Sequence, residues 1–255
     1  MKRRIISLIA MVLLLSQLAC PALAEDALVP EVKICSSYWE DGVLHTYAQF
    51  SQEDPTSLET TLLVSNAMMQ QVHPETLQDA GASIHYMLLI DASSSMASFR
   101  TRITYLAREL MKTQQNVHIS VAQFGSGVSL VAADLTQWEE VRAALNSISY
   151  NKEVSNITGC AAEALEMLGK EGYADGGEMT NLVVITDGEA WYSDDTQTEQ
   201  QMELQANTYA KRMIAAYPEI VIHTFSFGQW NTEAQEILQD HRGLHGAGNN
   251  AATMG

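Results

Sequence analysis

The sequence predicts an α/β fold: a doubly wound, mostly parallel sheet flanked by helices, with a small β segment at the N-terminal side. Two apolar runs without polar alternation, 87–90 and 182–185, are typical of central parallel strands covered on both faces. Segments with apolar residues at helical spacing alternate with these and other predicted strands. Near the start, Asp41 and Gly42 separate two strand-like runs, which is a strong hairpin signal.

The first residues predict export from the cell. Three basic residues at 2–4 precede an apolar stretch from 5 to 18, and small residues at 22–24 offer a cleavage pattern. These features are those of a secretory signal peptide, which we assign to 1–24 with cleavage after Ala24. The expected location is therefore secreted, extracellular or at the cell surface.

Two other fates of the leader, a membrane anchor and lipid attachment, are disfavoured. A membrane anchor is disfavoured because the apolar stretch is shorter than the ~20 residues of a spanning helix and Pro21 follows it closely. Lipid attachment at Cys20 is disfavoured because Gln17 stands where that signal usually has an aliphatic residue.

Composition narrows the classes of partner. The chain has 14 Lys and Arg against 31 Asp and Glu, a formal net charge of −17. So acidic a chain is not expected to bind nucleic acid or anionic membranes through basic patches. Beyond the leader only Cys35 and Cys160 occur, so a disulfide-dense scaffold is excluded, and whether these two pair is left open.

Three regions follow the leader. Residues 25–82 form a small β-rich accessory segment, with a hairpin over 31–50 and a further strand at 60–64. Residues 83–241 form the main domain. The tail, 242–255, is rich in Gly, Asn, Ala and Thr, and is expected to be irregular.

Within the main domain strands and helices are expected to alternate. The run after the Gly125–Gly127 turn is predicted to return antiparallel at the sheet edge. Predicted strands cover 87–90, 117–124, 128–132, 182–185 and 220–227; predicted helices cover 99–111, about 138–145, a segment starting near Gly159, 198–217 and 232–240.

The most informative segment follows the first apolar strand. Asp91, Ser93 and Ser95 are three oxygen donors at the carboxyl end of that strand, where ligands of open α/β sheets bind. Oxygen donors suit a hard cation such as Mg²⁺ or Ca²⁺ and suit zinc poorly. Serines before a helix also serve as simple N-caps, so this segment alone leaves the two interpretations level.

Two more positions favour the metal site. Asp187 ends the second apolar strand, and Thr158 lies just before a predicted helix, so three loops are expected at one sheet edge. With these residues the sequence resembles a von Willebrand factor A-type domain carrying a metal-ion-dependent adhesion site, over about 83–240. Asp91-x-Ser93-x-Ser95 matches its first motif, Thr158 its second-loop threonine and Asp187 its third-loop aspartate. Before Thr158 the chain has Asn and Ile where the family often has Gly.

The resemblance implies a Rossmann-like fold and a role for each site residue. Ser93, Ser95 and Thr158 would coordinate the cation directly, while Asp91 and Asp187 would act mainly through bound water. Mg²⁺ is the expected ion, with Ca²⁺ or Mn²⁺ as alternatives. Neutral hydroxyls leave the charge of the cation uncompensated, so an Asp or Glu of a partner protein would complete its coordination shell.

We therefore expect a secreted or cell-surface, metal-dependent protein-binding or adhesion domain without catalysis. One alternative is a structural module of a surface assembly with a stabilising cation. The other is a metal-dependent hydrolase, which is opposed by the lack of a second acid two residues after Asp91 and of a Gly-x-Ser-x-Gly elbow.

Overall fold

A computed structural model describes residues 32–40, 43–50, 60–64, 68–72, 83–112, 116–170, 179–192, 195–229, 232–239, 243 and 245–247. The predicted leader at 1–24, lipidation at Cys20 and the Asp41–Gly42 turn lie outside these residues. No helix in the described part of the chain is long and apolar enough to cross a membrane.

Two antiparallel strand pairs precede the main sheet. β1 (Val32–Glu40) pairs with β2 (Val43–Phe50), which confirms the predicted hairpin. β3 (Thr60–Val64) coincides with the predicted strand at 60–64, and it pairs with β4 (Met68–Val72). The sequence did not indicate β4, because Met-Met-Gln-Gln has little β propensity of its own. Hydrogen-bonded pairing with β3 stabilises this segment as a strand.

The main sheet has six strands in the order β10-β9-β8-β5-β6-β7. β5 is central and pairs in parallel with β6 and β8, and the parallel arrangement continues through β9 to β10. β7 is antiparallel to β6 at the edge, as predicted. The strands are β5 (Ile84–Asp91), β6 (Val117–Phe124), β7 (Val128–Leu135), β8 (Met179–Thr186), β9 (Val221–Ser226) and β10 (His245–Ala247).

Helices cover both faces of the sheet, which confirms the predicted α/β fold. After β5 a short 3₁₀ helix (Ser94–Phe99) leads into α1. The α-helices are α1 (Arg100–Leu110), α2 (Trp138–Ser147), α3 (Ile157–Lys170), α4 (Thr196–Ala216) and α5 (Thr232–Gln239).

The central strand explains why its sequence shows no polar alternation. Met87 and Leu89 belong to a core cluster shared with α3, α4 and α5. Leu88 and Ile90 point to the opposite face and belong to a second cluster shared with α1 and α2. All four side chains are fully buried, because a strand with a helical layer on each face buries both sets of its alternating residues.

The expectation of an irregular tail is wrong at its start. His245–Ala247 forms β10, which extends the sheet in parallel beside β9, and the His245 Nδ1 atom lies 2.8 Å from the Thr224 hydroxyl. Glycine at position 243 allows the backbone to pass close to the chain just before Thr224, because a Cβ on Gly243 would lie 1.6 Å from the carbonyl oxygen of Ile222. Pairing with β9 makes this segment a strand, although its composition indicates a loop.

Cys160 is a free, buried thiol in α3. Its Sγ atom contacts the carbonyl oxygen of Gly125 at 3.6 Å. Burial raises the pKa of the thiol well above its usual range, and the nearby Glu163 adds to the effect. The thiol is therefore a core packing group and has little thiolate character.

This environment predicts an unreactive cysteine. At pH 8 we expect iodoacetamide to modify Cys160 at least ~10-fold more slowly in the native protein than in protein unfolded by urea, because only the thiolate attacks. Peptide mass spectrometry over a time course measures both rates. Equal rates in the two states would contradict the burial of this side chain.

Candidate functional site

The candidate site lies at the carboxyl edge of the sheet, where β5 and β8 end side by side. Their parallel register aligns Ile90 with Ile185, so Asp91 lies next to Thr186. The Thr186 hydroxyl donates to Asp91 Oδ2 at 2.8 Å. Asp187 follows directly, so the first and third predicted loops start from adjacent strands.

Asp91 is a fully buried carboxylate that receives three hydrogen bonds. Oδ1 accepts from the backbone N–H of Ser93 at 2.9 Å, and Oδ2 accepts from the hydroxyls of Ser155 and Thr186, each at 2.8 Å. Burial raises the pKa of Asp91, and hydrogen bonds from the Ser93 backbone and from the Ser155, Thr186 and Ser93 side chains oppose this rise. The side chain thus links three segments of the chain at one point.

Ser93 and Ser95 present their hydroxyls together. The two hydroxyls hydrogen-bond each other at 3.0 Å; Ser95 is exposed and Ser93 is half-buried. Ser93 occupies the N-cap position of the 3₁₀ helix but makes no side-chain capping hydrogen bond. Simple capping therefore does not explain why this turn carries hydroxyls.

The second loop is tied to the first by backbone hydrogen bonds. Lys152 N–H donates to the carbonyl of Ala92 at 3.0 Å, and Lys152 forms an isolated parallel bridge with Ser93. Three residues later, the Ser155 hydroxyl reaches Asp91. Ser155 is buried, and it is the hydroxyl of this loop that joins the site.

Thr158, the predicted second-loop residue, has different partners. It lies in the first turn of α3, is fully buried, and donates its hydroxyl to Asn207 Oδ1 on α4 at 2.8 Å. Burial raises the pKa of the neighbouring Tyr192, and a hydrogen bond with the Thr158 side chain opposes this rise. The structure thus places Thr158 between α3 and α4 and brings Ser155, which we did not single out, to Asp91.

The third loop is shaped by Gly188. Its φ of 88° lies in the left-handed region, which a residue with a Cβ adopts at a cost. In this conformation its N–H donates to the Thr186 hydroxyl at 3.1 Å, while the N–H of Glu189 donates to Asp187 Oδ1 at 3.3 Å. Asp187 is 8% exposed, and the hydrogen bond from Glu189 holds its carboxylate within the third loop.

These oxygens fit a small, hard cation. The described residues contain no group of three or more His, Cys, Asp or Glu side chains that could hold a metal, so a cation here would depend on hydroxyls. Adjacent ligands of an octahedral ion with bonds of ~2.1 Å are ~3.0 Å apart. The hydrogen-bonded hydroxyl oxygens of Ser93 and Ser95 are 3.0 Å apart, so two neighbouring positions of such an ion fit them without a change in their spacing.

Comparison with known proteins identifies the family of the chain. The family model for the von Willebrand factor type A domain matches residues 87–245, well over half of the chain. The chain belongs to the von Willebrand factor type A (VWA) family. Domains of this family often bind a metal and mediate protein interactions. No curated protein matched the chain.

Solved structures similar to this VWA domain share low sequence identity with it. BatB from Bacteroides thetaiotaomicron is 15% identical with a TM-score of 0.49, over 67% of this chain and 93% of that one. A von Willebrand factor type A protein from Catenulispora acidiphila is 14% identical with a TM-score of 0.49, over 72% and 41%. Proximal thread matrix protein 1 of the mussel byssus, described with a zinc-occupied MIDAS motif, is 17% identical with a TM-score of 0.49, over 64% and 43%.

The buried bond between Thr158 and Asn207 predicts a stability effect within the VWA domain. Thr158→Val should lower the free energy of unfolding by about 1–3 kcal/mol, because the buried amide of Asn207 loses its hydroxyl partner. Urea denaturation followed by circular dichroism measures the change. The matched control is Thr208→Val on α4, the helix of Asn207, where an exposed hydroxyl bonds the carbonyl of Leu204 and a change within about 0.5 kcal/mol is expected. Equal effects of the two substitutions would refute the assignment.

Proposed function

We propose that this VWA domain is an exported, cation-dependent protein-binding module. Its adhesion site would hold a divalent ion through the hydroxyls of Ser93, Ser95 and Ser155, with Asp91 and Asp187 acting mainly through bound water. The observation that carries the proposal is the pair of serine hydroxyls 3.0 Å apart above a buried, hydrogen-bonded aspartate. Export is supported by the leader pattern at 1–24.

The hydrogen bonds support Ser155 in the position first predicted for Thr158. The Ser155 hydroxyl donates its proton to Asp91, and this hydrogen bond occupies none of the lone pairs of the Ser155 oxygen. Thr158 donates to Asn207 and also bonds Tyr192, which engages its hydroxyl within the core. Ser155 is therefore the second-loop ligand in the proposal.

Thr186 has a different role from the three serines. Its hydroxyl donates to Asp91 and accepts the N–H of Gly188, so it bonds protein groups on both sides. We assign it to positioning: it fixes the carboxylate of Asp91 and the start of the third loop in one arrangement.

The donor set supports Mg²⁺, with Ca²⁺ or Mn²⁺ as alternatives. Mg²⁺ prefers six oxygen ligands at ~2.1 Å and commonly keeps several waters. Neutral serine hydroxyls cancel none of its charge, so the ion stays attractive to an Asp or Glu carboxylate of a partner. The proposed role is binding without catalysis, because the Asp91 carboxylate is fully buried and its protein hydrogen bonds hold it as an orienting group, not as a nucleophile.

The proposal predicts which substitutions remove the ion. In isothermal titration with Mg²⁺, Asp91→Asn and Ser155→Ala should each weaken binding by at least ~10-fold, because both disturb the groups that hold or orient ligands. Thr158→Val should stay within ~2-fold of the unmodified protein under conditions where circular dichroism shows it folded. If Thr158→Val weakens Mg²⁺ binding and Ser155→Ala does not, the second-loop ligand is Thr158 and not Ser155.

The proposal also predicts a chelatable interaction. Extracellular proteins captured in Mg²⁺ should be released by EDTA, recaptured when Mg²⁺ is restored, and absent with Asp91→Ala, since the partner carboxylate binds the ion itself. Quantitative mass spectrometry of the eluates measures this. Capture that is unchanged in EDTA, together with a chelation-induced fall in melting temperature, would instead support a purely structural cation.

A further inference from the structure

We propose that Trp191 and the carboxylates beside it make this site selective for a basic protein segment that carries one acidic residue with a Lys or Arg close to it. The inference rests on the proposed function and adds the chemistry of the partner. In this arrangement the acid of the partner binds the cation and its neighbouring basic side chain lies on the Trp191 indole.

Trp191 is fixed directly beside the proposed ligands. Its N–H donates to the Ser155 carbonyl at 3.1 Å, and its carbonyl accepts the Ser155 N–H at 2.9 Å. The same Ser155 bonds Asp91 through its hydroxyl. On the other side, the next residue, Tyr192, is buried and bonded to Thr158. The backbone of Trp191 is thus held from both sides.

The side chain of Trp191 is nevertheless 44% exposed, although indole is among the largest apolar groups. A large aromatic side chain whose backbone is fixed at the rim of a binding site is the kind of residue that often dominates the binding energy of protein interfaces. Its π face attracts Arg and Lys cations, which adds a preference for positive charge.

The charges around Trp191 favour the same partner. Glu189 is exposed, and its N–H donates to Asp187. Glu153 is exposed on the second loop, two residues before Ser155. Lys152 supplies one opposing charge, and the chain as a whole carries a net charge of −17. Acidic residues beside the acid of the partner would be repelled by Glu153 and Glu189, while basic residues there would be attracted by them.

The test compares three labelled peptides of equal length by fluorescence anisotropy, each in Mg²⁺ and in EDTA. The first carries one Asp with Arg on either side, the second has Glu in place of both Arg residues, and the third is the first with Asn in place of Asp. We expect the first to bind at least ~10-fold more tightly than the second, since like charges at contact oppose binding. The third should not bind measurably.

Substitutions show which residues produce the preference for the Arg-flanked peptide. Trp191→Ala should weaken binding of the Arg-flanked peptide ~5-fold, as loss of an exposed cation–π contact implies, and Trp191→Phe should recover most of the loss. Glu189→Gln should narrow the difference between Arg-flanked and Glu-flanked peptides. The matched control is Tyr105→Ala, which removes another exposed aromatic side chain, 55% exposed on α1 and outside the three loops of the site, and should change nothing.

The outcomes separate this inference from the function on which it rests. Mg²⁺-dependent binding of equal strength for both Asp peptides, or unchanged by Trp191→Ala, overturns the inference and leaves the cation-dependent function standing. Failure of every peptide to bind while calorimetry still shows the ion also overturns the inference alone. Loss of cation binding itself, measured by calorimetry on the unmodified protein, overturns the proposed function.

Discussion

The candidate site depends on one buried carboxylate, that of Asp91. An ionised side chain without solvent is costly unless polar groups compensate it, and here the compensation comes from three separate segments: the N–H of Ser93, the hydroxyl of Ser155 and the hydroxyl of Thr186. Each segment gains a fixed position because it supplies part of that compensation. The arrangement of the three loops is therefore a consequence of satisfying one acid at the end of the central strand.

The fold follows from the same central strand, and it was predictable for a physical reason. Leu88 and Leu89 face opposite helical layers, so the strand has to be apolar at successive positions, and this pattern is visible in the sequence. β4 and β10 lack such a signal. They are strands because β3 and β9 offer edges to pair with, and an edge is a property of the folded chain that local sequence does not carry.

The site was predictable to the extent that strand ends determine it. Asp91 and Asp187 follow adjacent parallel strands, whose carboxyl ends must meet at one edge. The second loop has no such constraint. Ser155 and Thr158 both carry hydroxyls, and which of them meets Asp91 depends on where α3 begins. Because the helix begins at Ile157, Thr158 falls in its first turn against α4, and Ser155 is left in the loop.

The backbone bridge between Ser155 and Trp191 joins the two proposed halves of recognition. Ser155 would bind the ion, Trp191 would bind the partner, and paired hydrogen bonds of 2.9 and 3.1 Å fix their backbones relative to each other. A displacement of the second loop that removes Ser155 from the ion also displaces the indole. At physiological salt, charges separated by more than ~8 Å are largely screened, so the proposed selection of a partner would depend on groups at contact. A contact surface coupled to the ion ligand makes that selection conditional on the presence of the ion.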